Sequence, residues 1–305
     1  MVKKKKTPIQ KILHCWQLYV MLLPTVVYFI LFSYLPMAGV QIAFRDYKAM
    51  SGIWNSEWVG MKHFTRFVNS IQFGTLLRNT LRLSLTSLVV GFPLPIIFAL
   101  LLNEVKATKL KKVIQNITYA PHFISTVVLV GMVTMFLSPS TGMINYFIQA
   151  LGGEATDFMG KVNAFVPIYV ISGLWQNLGW SAIIYVAALS GVDTQLYDAA
   201  KIDGANRLQK IWNIDIPAIL PTAVTLLILN CGSILSVGYE KTYLLQNSLN
   251  LSVSEIISTY VYKVGLINAQ YSYTSAIGLF NSVVNVCMLV IVNTVAKKLS
   301  DTSLF

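Results

Sequence analysis

Long apolar stretches alternate with shorter polar segments along the 305-residue chain. Six of these stretches approach or exceed the ~20 apolar residues that an α-helix needs to cross a bilayer. Because lipid cannot satisfy backbone N–H and C=O groups, each stretch is expected to form a helix with internal hydrogen bonds. The predicted spans are residues 18–40, 76–102, 113–137, 164–190, 218–239 and 275–296. The pattern therefore predicts an all-α integral membrane protein with six transmembrane helices.

The composition supports this fold class and argues against a nucleic-acid partner. Hydrophobic residues make up 55% of the chain and charged residues 11%, whereas soluble domains carry about 25% charged residues. The net charge of +11 comes from basic residues spread over several loops, with the largest cluster in the N-terminal tail. Anchoring of this tail to anionic lipid headgroups accounts for the cluster. We therefore expect membrane lipid, and no nucleic acid, as a partner.

The basic residues also predict the orientation, because cytoplasmic loops of membrane proteins carry an excess of Lys and Arg. With the N-terminus inside, fourteen of the 23 basic residues fall in inner segments and seven in outer segments. The other two, Arg78 and Arg82, lie at the outer end of the second span. This bias places both termini and the polar segment 191–217 in the cytoplasm, where ATP is available.

The segment 191–217 combines a helical pattern with a predicted break. Apolar residues recur every three or four positions, which gathers them on one helical face. Asp193 or Thr194 is suited to cap the start of the helix, and Gly204 permits a break that a residue with a Cβ would resist. Amphipathicity alone also fits a helix that lies on the membrane surface. The residues of this face are Ala199, Ile202, Ala205 and Leu208, followed by Ile211 or Trp212.

The register of this segment resembles the EAA loop of bacterial ABC-importer permeases. Asp198-Ala199-Ala200, then Gly204, then residues 214–217 (IDIP) are similar to its pattern, which is EAA, three residues, G, nine residues and I-x-L-P. Residues 196–205 (LYDAAKIDGA) resemble the carbohydrate-importer version, L-Y-E-A-A-x-I-D-G-A. Asp198 replaces the usual Glu and is one methylene shorter, which changes the geometry of any ion pair that it makes.

This resemblance implies a permease subunit of a binding-protein-dependent ABC importer in the bacterial cytoplasmic membrane, with an oligosaccharide as its substrate. The expected partners are a second permease subunit, two ATPase subunits and an extracellular solute-binding protein. The EAA-type loop would be the coupling helix by which the ATPase moves the membrane subunit. By resemblance, its ATPase-coupling residues are Tyr197, Asp198, Ala199, Ala200, Ile202, Asp203, Gly204, Ala205 and Leu208.

The resemblance extends from about residue 75 to the C-terminus and divides the chain into three parts. Residues 1–17 are a basic cytoplasmic tail, and 18–74 hold the first span and an aromatic-rich extracytoplasmic segment. Residues 75–305 form a five-helix ABC-importer transmembrane domain that includes the coupling loop. Asn79-Thr80, at the start of the second span, belongs to the resemblance. The first span and the aromatic segment are similar to those of oligosaccharide and polysaccharide permeases.

Polar residues inside the fourth and fifth predicted spans indicate a substrate path. Gln176 and Trp180 share one helical face, and Asn230 and Ser233 share another. Amides both donate and accept hydrogen bonds, and the flat faces of indoles suit the C–H faces of sugar rings. Hydrogen bonding between helices uses the same residue types and remains the alternative for each single residue. The predicted path residues are Gln176, Asn177, Trp180, Asn230 and Ser233.

Other motifs limit the possible functions. The sequence contains no G-x-x-x-x-G-K-[ST] phosphate loop, no paired carboxylates and no metal-ligand spacing, so we expect no enzyme activity. This chain is expected to bind no cofactor, and ATP and Mg are expected on the partner ATPase subunits. Two alternatives remain open: an ABC importer permease for a peptide or amino acid, and a secondary carrier that uses His122. Dependence of uptake on a separate ATPase would distinguish the carrier.

Overall fold

The computed structural model of the protein describes residues 16–300, with side chains through Lys298, and consists almost entirely of helices. The first half holds α1 (Trp16–Phe44), β1 (Arg45–Asp46), α2 (Gly52–Asn55), β2 (Glu57–Trp58), α3 (Lys62–Val68), α4 (Ile71–Asn103), α5 (Thr108–Phe123), α6 (Thr126–Phe136) and α7 (Met143–Ala150). The second half holds α8 (Phe165–Ser190), α9 (Thr194–Ile202), α10 (Arg207–Cys231), α11 (Tyr239–Leu245), α12 (Leu251–Ser254), α13 (Ile257–Val261) and α14 (Tyr271–Ser300). The short strands β1 and β2 pair antiparallel. The predicted basic tail lies outside the described residues except for its last two.

Several of these helices are continuous runs of more than one helical type. A π-helical turn is recognised by i→i+5 hydrogen bonds and often marks a functional position. The composite segments are α1, with a π turn at Ile30–Tyr34 and a 3-10 end at Ala38–Phe44; α4, made of Ile71–Gly91 and Pro93–Asn103; α5, with a 3-10 end at Ala120–Phe123; α8, preceded by a 3-10 turn at Val162–Ala164; α10, with a π turn at Ile211–Asp215; and α13, continued by a π turn at Tyr262–Ile267.

The predicted all-α class is confirmed, and most of the predicted spans coincide with long helices. Within the described residues, α1, α4, α10 and α14 are both long and apolar enough to cross a membrane, and the bent pair of α5 and α6 makes a fifth candidate. The fourth predicted span corresponds to the 26-residue α8. The exact count of six transmembrane helices stays a prediction.

The third predicted span, 113–137, is wrong as a continuous helix. α5 and α6 meet at an angle of 100°. Pro121 lies in the 3-10 turn at the end of α5, where it cannot donate a backbone hydrogen bond. Ile124 then takes an extended conformation, with φ −75° and ψ 128°, and Ser125 caps the start of α6 through the N–H of Val128. The apolar run therefore folds as two helices that meet near the centre of the protein.

The fifth predicted span, 218–239, is shifted toward the N-terminus. Its helix begins at Arg207 and ends at Cys231, after which the backbone leaves the helical conformation. Asn285 of α14 accepts a hydrogen bond from the N–H of Leu235 at 3.0 Å, and Asn281 donates to the Leu235 carbonyl at 3.3 Å. Irregular backbone at membrane depth is tolerated where protein groups satisfy it. The helix can therefore stop early because α14 supplies these partners.

α8 lies at the centre of the helical domain. Its Ala182, Tyr185 and Leu189 are buried in one apolar cluster with Ala99 of α4 and Ile219 of α10. The absence of a side chain on Gly179 lets α5 approach closely, because a Cβ there would collide with the carbonyl of Thr118. α8 therefore contacts α4, α5 and α10 at the same time.

The segment that holds α12 and α13 is anchored to the start of α4. The buried side chain of Asn79 donates to the carbonyls of Ser252 and Glu255 at 2.9 and 3.0 Å. Thr80 accepts a hydrogen bond from the N–H of Ile257 at 3.0 Å. Paired backbone groups of this kind avoid the cost of a buried, unsatisfied polar atom. The Asn79-Thr80 pair therefore has a structural role in joining this segment to the second span.

Candidate coupling segment and transmembrane cavities

The coupling segment, residues 191–217, begins with a short helix that ends at a left-handed glycine. The Asp193 carboxylate accepts a hydrogen bond from the N–H of Gln195 at 2.9 Å, which confirms Asp193 as the cap of α9. At the other end Gly204 has φ +73°. The N–H of Ala205 donates to Ala200 O at 2.8 Å and that of Gly204 to Lys201 O at 3.1 Å. These two bonds form a Schellman motif, so the predicted break at Gly204 is confirmed.

A second cap starts α10 immediately after this turn. The Asn206 side chain accepts from the N–H of Gln209 at 2.9 Å, and the Gln209 side chain accepts from the N–H of Asn206 at 2.8 Å. This reciprocal pair is a capping box. The coupling segment is therefore a helix, a tight turn and the first part of the long helix α10. The sequence predicted one continuous apolar face, but the structure divides its residues between α9 and α10.

The surface of the coupling segment is open and partly apolar. Ile202 is 86% exposed, and Leu208 and Trp212 are each 67% exposed. Asp198 pairs with Lys201 at 2.7 Å on the outer face of α9. Of the nine predicted coupling residues, those that lie exposed are Asp198, Ala199, Ile202, Asp203, Gly204 and Leu208, while Ala200 and Ala205 are half-buried. These eight residues lie at and around the turn, and the apolar side chains of Ile202 and Leu208 are largely exposed there.

Tyr197 is the exception among the predicted coupling residues, because its side chain points inward. Its hydroxyl donates a 2.5 Å hydrogen bond to Asp215 Oδ1 in the π turn of α10. Asp215 is fully buried, and its Oδ2 has no hydrogen-bond partner among the described residues. Burial and the neighbouring Asp215 raise the pKa of Tyr197 to about 12. The phenol therefore remains a donor at neutral pH and joins α9 to the start of the α10 span.

The sequence analysis included Asp215 in the motif but assigned no role to its side chain. Its position inside the IDIP stretch was the available signal. Glu104 was missed as well; it follows α4 and lies 3.6 Å from the Lys210 ammonium and 3.9 Å from Arg207 Nε. Because Glu104 and Lys210 are mostly buried, this contact connects the coupling segment to the C-terminal end of α4. The coupling segment thus has an exposed surface and also makes buried contacts with α10, through Asp215, and with the end of α4, through Glu104.

Two adjoining cavities lie between α4, α8 and α10 and are lined by all five predicted path residues. The larger cavity measures about 590 Å³ and includes Trp180, Asn230 and Ser233. The smaller one measures about 250 Å³ and includes Gln176 and Asn177. The walls shared by both cavities are formed by Ser87, Gly91, Pro95, Tyr169 and Ser181. The structure brings the five side chains together, and their role in transport stays a prediction.

Three of these side chains also hold the bend between α5 and α6. Gln176 donates to the carbonyl of Ile124 at 2.8 Å, and Asn177 Oδ1 lies 3.0 Å from His122 Nδ1. The Trp180 indole stacks on the His122 ring, with centroids 4.3 Å apart and planes 5° from parallel. His122 is thus engaged in packing on both its ring face and its edge. Gln176 and Asn177 therefore combine packing contacts with a place on the cavity wall, whereas Trp180 is still 45% exposed toward the cavity.

Asn230 and Ser233 keep more of their hydrogen-bonding capacity free. Asn230 donates one bond to Leu226 O of its own helix at 2.9 Å. The Ser233 hydroxyl is 3.2 Å from Leu229 O. Both residues are exposed on the cavity surface. An amide with a free carbonyl oxygen can accept a hydrogen bond from a sugar hydroxyl, so these two positions are suited to contact a polar solute.

Lys241 also lines the smaller cavity, although the sequence indicated only an outer basic residue there. It lies in α11 and is 9% exposed. Its ammonium donates to the carbonyl of Tyr169 at 2.8 Å and lies 4.5 Å from the centroid of the Tyr169 ring. Burial lowers the pKa of Lys241 to about 8, so the side chain is still mostly charged at pH 7. A buried cation therefore faces a cavity that is otherwise neutral.

Comparison with known protein families identifies the family of this chain. The sequence pattern of the family described as "Binding-protein-dependent transport system inner membrane component" matches residues 91–301, which is more than half of the chain. The chain belongs to this family. The resemblance expected from the coupling segment is thereby confirmed, and this inner membrane component is a multi-pass membrane protein with several apolar helices. The family is one of transport components.

Relatives of this inner membrane component match it over nearly its whole length. The polygalacturonan/rhamnogalacturonan transport system permease protein YteP of Bacillus subtilis (strain 168) is 44% identical over 303 residues, covering 99% of this chain and 94% of the relative. Protein LplB of the same organism is 45% identical over 288 residues, covering 94% and 91%. The match includes the coupling segment and the cavity-lining helices.

Solved structures share the fold. A chain in the crystal structure of a bacterial ABC transporter involved in the import of the acidic polysaccharide alginate aligns with a TM-score of 0.88 and 40% identity, covering 95% of this chain and 98% of that one. A chain of the bacterial alginate ABC transporter in complex with alginate pentasaccharide-bound periplasmic protein aligns with a TM-score of 0.90 and 39% identity, covering 98% and 100%.

Proposed function

We propose that this chain is the permease subunit of an ATP-driven importer that passes an oligosaccharide across the cytoplasmic membrane. The observation that carries the proposal is the coupling segment, where a capped helix and a left-handed glycine present exposed apolar residues beside the predicted ATPase-coupling positions. The relatives support a carbohydrate, since one belongs to a polygalacturonan/rhamnogalacturonan transport system and a structural neighbour belongs to a transporter involved in the import of alginate.

The proposed assembly contains a second permease subunit, two ATPase subunits and an extracellular solute-binding protein. A structural neighbour is in complex with a periplasmic protein that carries a pentasaccharide, which supports the binding protein as a partner. ATP and Mg would bind to the ATPase subunits, while this chain holds neither and does no chemistry. Both termini and the coupling segment would face the cytoplasm, in agreement with the distribution of basic residues.

Movement of the ATPase would reach the cavities through two short routes. The Tyr197–Asp215 hydrogen bond connects α9 to the start of α10, which carries Asn230 and Ser233. The contact of Glu104 with Lys210 connects α10 to α4, which forms another wall of the cavities. Rigid helices that rock as units can convert such a displacement into alternating access of the cavities to the two sides.

A secondary carrier that uses His122 has less support. Proton-coupled carriers place ionisable groups in an accessible position within the membrane. Here the His122 ring is stacked on Trp180 and lies 3.0 Å from Asn177 Oδ1, which gives it a packing role at the bend. Nothing in the described residues favours a peptide or an amino acid over a sugar.

Reconstitution of the complete importer in proteoliposomes tests the proposal. Uptake of a labelled oligosaccharide is measured with the binding protein outside and ATP inside. We expect uptake only when the ATPase subunits, ATP and the binding protein are all present. Uptake by liposomes that contain the permease subunits alone, driven by a proton gradient, would contradict the importer and support the carrier.

A further inference from the structure

Lys241 has a charge that no carboxylate of the described residues balances. It takes part in none of the five ion pairs in that part of the protein. Its ammonium has three N–H donors, and one of them is used by the Tyr169 carbonyl. The Tyr169 ring gives additional cation–π stabilisation from 4.5 Å. The remaining donors have no partner among the described side chains, although the residue is 9% exposed.

The cavity around this ammonium contains no other charge. Among the described residues that line the two cavities, Lys241 is the one with a charged side chain; the polar remainder are serines, amides, tyrosines and a tryptophan. An unpaired cation in a partly desolvated cavity attracts an anion more strongly than it would in water. The cavity therefore favours a negatively charged solute over a neutral solute of the same shape.

Local geometry supports a functional position for the ammonium. Gly173 lies on α8 directly beneath it, and a Cβ at that position would lie 2.9 Å from Lys241 Nζ. The absence of this Cβ lets the ammonium lie against α8 at Gly173, which is about one turn from Gln176 and Asn177 in the same cavity. An apolar residue of similar length in place of a lysine that serves packing alone is expected to change the uptake of charged and neutral solutes alike. In place of a cation that holds an anionic solute, it is expected to lower the uptake of the charged solute more.

We infer that Lys241 binds the anionic group of an acidic sugar, such as the carboxylate of a uronate, as the saccharide passes through the cavities. The inference rests on the proposed function, because it specifies the solute of the same path. In this arrangement the carboxylate lies on the ammonium beside Tyr169, while Asn230 and Ser233 in the adjoining cavity contact hydroxyl groups of a neighbouring sugar ring.

The test uses the complete importer in proteoliposomes and two matched solutes, trigalacturonate and its methyl ester. They have the same length and linkage and differ in charge. The binding protein is preloaded with each solute and added at saturation, so that the comparison reports steps after delivery. We expect the wild-type importer to take up trigalacturonate at least tenfold faster than the ester. Equal rates, or a preference for the ester, would overturn the inference and leave a carbohydrate importer in place.

Variants of Lys241 separate binding from packing. Lys241→Met should lower trigalacturonate uptake at least tenfold and leave the residual uptake of the ester unchanged, whereas Lys241→Arg should keep more than half of the wild-type rate. Lys263→Met is the control, because Lys263 is an outer lysine paired with Glu255 at 3.0 Å. Equal losses for both solutes in Lys241→Met would show a structural lysine and overturn the inference.

Further outcomes distinguish a wrong assignment of Lys241 from a variant that fails to fold and from a wrong proposed function. If Lys241→Met fails to assemble, the wild-type preference and the Lys241→Arg rate decide the question without it. Failure of the wild-type importer to take up any saccharide, charged or neutral, in the presence of ATP would overturn the proposed function itself. Uptake of the ester alone would overturn only the assignment of Lys241.

Discussion

The hydroxyl of Tyr197 lies 2.5 Å from Oδ1 of the fully buried Asp215, and this hydrogen bond joins α9 to the π turn of α10. The remaining oxygen of Asp215 has no partner among the described residues. A buried carboxylate with so few donors depends strongly on each one. The bond therefore connects the exposed helix α9 directly to the buried part of α10.

Tyr197→Phe should uncouple ATP hydrolysis from transport. The change removes the hydroxyl and leaves a buried carboxylate without this donor, which costs about 1–3 kcal/mol. We expect uptake to fall at least fivefold while ATPase activity of the purified complex stays within twofold of wild type. Tyr146→Phe, at an exposed outer tyrosine, is the control. A variant that transports at the wild-type rate would show that the bond is not needed for coupling.

Gly204→Pro should disable transport without preventing membrane insertion. Gly204 has φ +73°, whereas proline holds φ near −65° and lacks the N–H that donates to Lys201 O at 3.1 Å. Gly204→Ala should have a smaller effect of about 1–2 kcal/mol, the usual cost of the left-handed region for a residue with a Cβ. Uptake and ATPase activity of the purified complex are the measurements.

Gly191→Ala is the matched control for this pair, because Gly191 lies in the same segment with φ −88°. It should transport normally. Coupled transport at the wild-type rate by Gly204→Pro would contradict the proposal that the turn at Gly204 is needed for coupling to the ATPase.

Ala200→Asp should weaken assembly with the ATPase subunit. Ala200 is half-buried beside the turn, and a charge placed in a close, partly desolvated contact is costly unless it is paired. Copurification of the ATPase with the permease measures the effect, and we expect recovery to fall severalfold. Gln195→Asp adds the same charge to the exposed first turn of α9 and should leave recovery unchanged. Full recovery with Ala200→Asp would place this helix on lipid instead.

Asn230→Ala should lower transport more than stability. The Asn230 amide bonds only to its own helix and faces the larger cavity, so its removal takes away a solute contact and little packing. We expect uptake to fall severalfold, in line with the ~1–3 kcal/mol of a lost polar partner, while the thermal midpoint of the complex stays near wild type. Thr225→Ala on the same helix removes a similar bond to Pro221 O at 2.9 Å and serves as the control.

Trp180→Ala should reduce both uptake and thermal stability, since Trp180 is half-exposed to the cavity and also stacks on His122 at 4.3 Å. Trp180→Phe keeps a ring for the stack and should restore stability more than uptake. Equal recovery of both quantities in Trp180→Phe would argue that the residue acts only in packing at the bend.

The sequence was sufficient to predict features whose conformation depends on residues close together in the chain. Gly204 and Asp193 were predicted correctly because a left-handed turn and a helix cap depend on one or two neighbouring residues. The apolar runs predicted α1, α4 and α14 because a helix is the one way for such a run to pair its backbone in lipid. The register from Asp198 to Pro217 was enough to indicate the family.

Contacts between distant parts of the chain decided the rest. The end of α10 at Cys231 depends on Asn281 and Asn285, which lie some fifty residues away and satisfy the irregular backbone. The inward direction of Tyr197 depends on Asp215, and the position of Lys241 on the carbonyl and ring of Tyr169. Hydrophobic periodicity records which residues avoid water, but not which polar groups meet inside. The sequence thus determined the helices and the family, and only tertiary packing decided which side chains face the cavities.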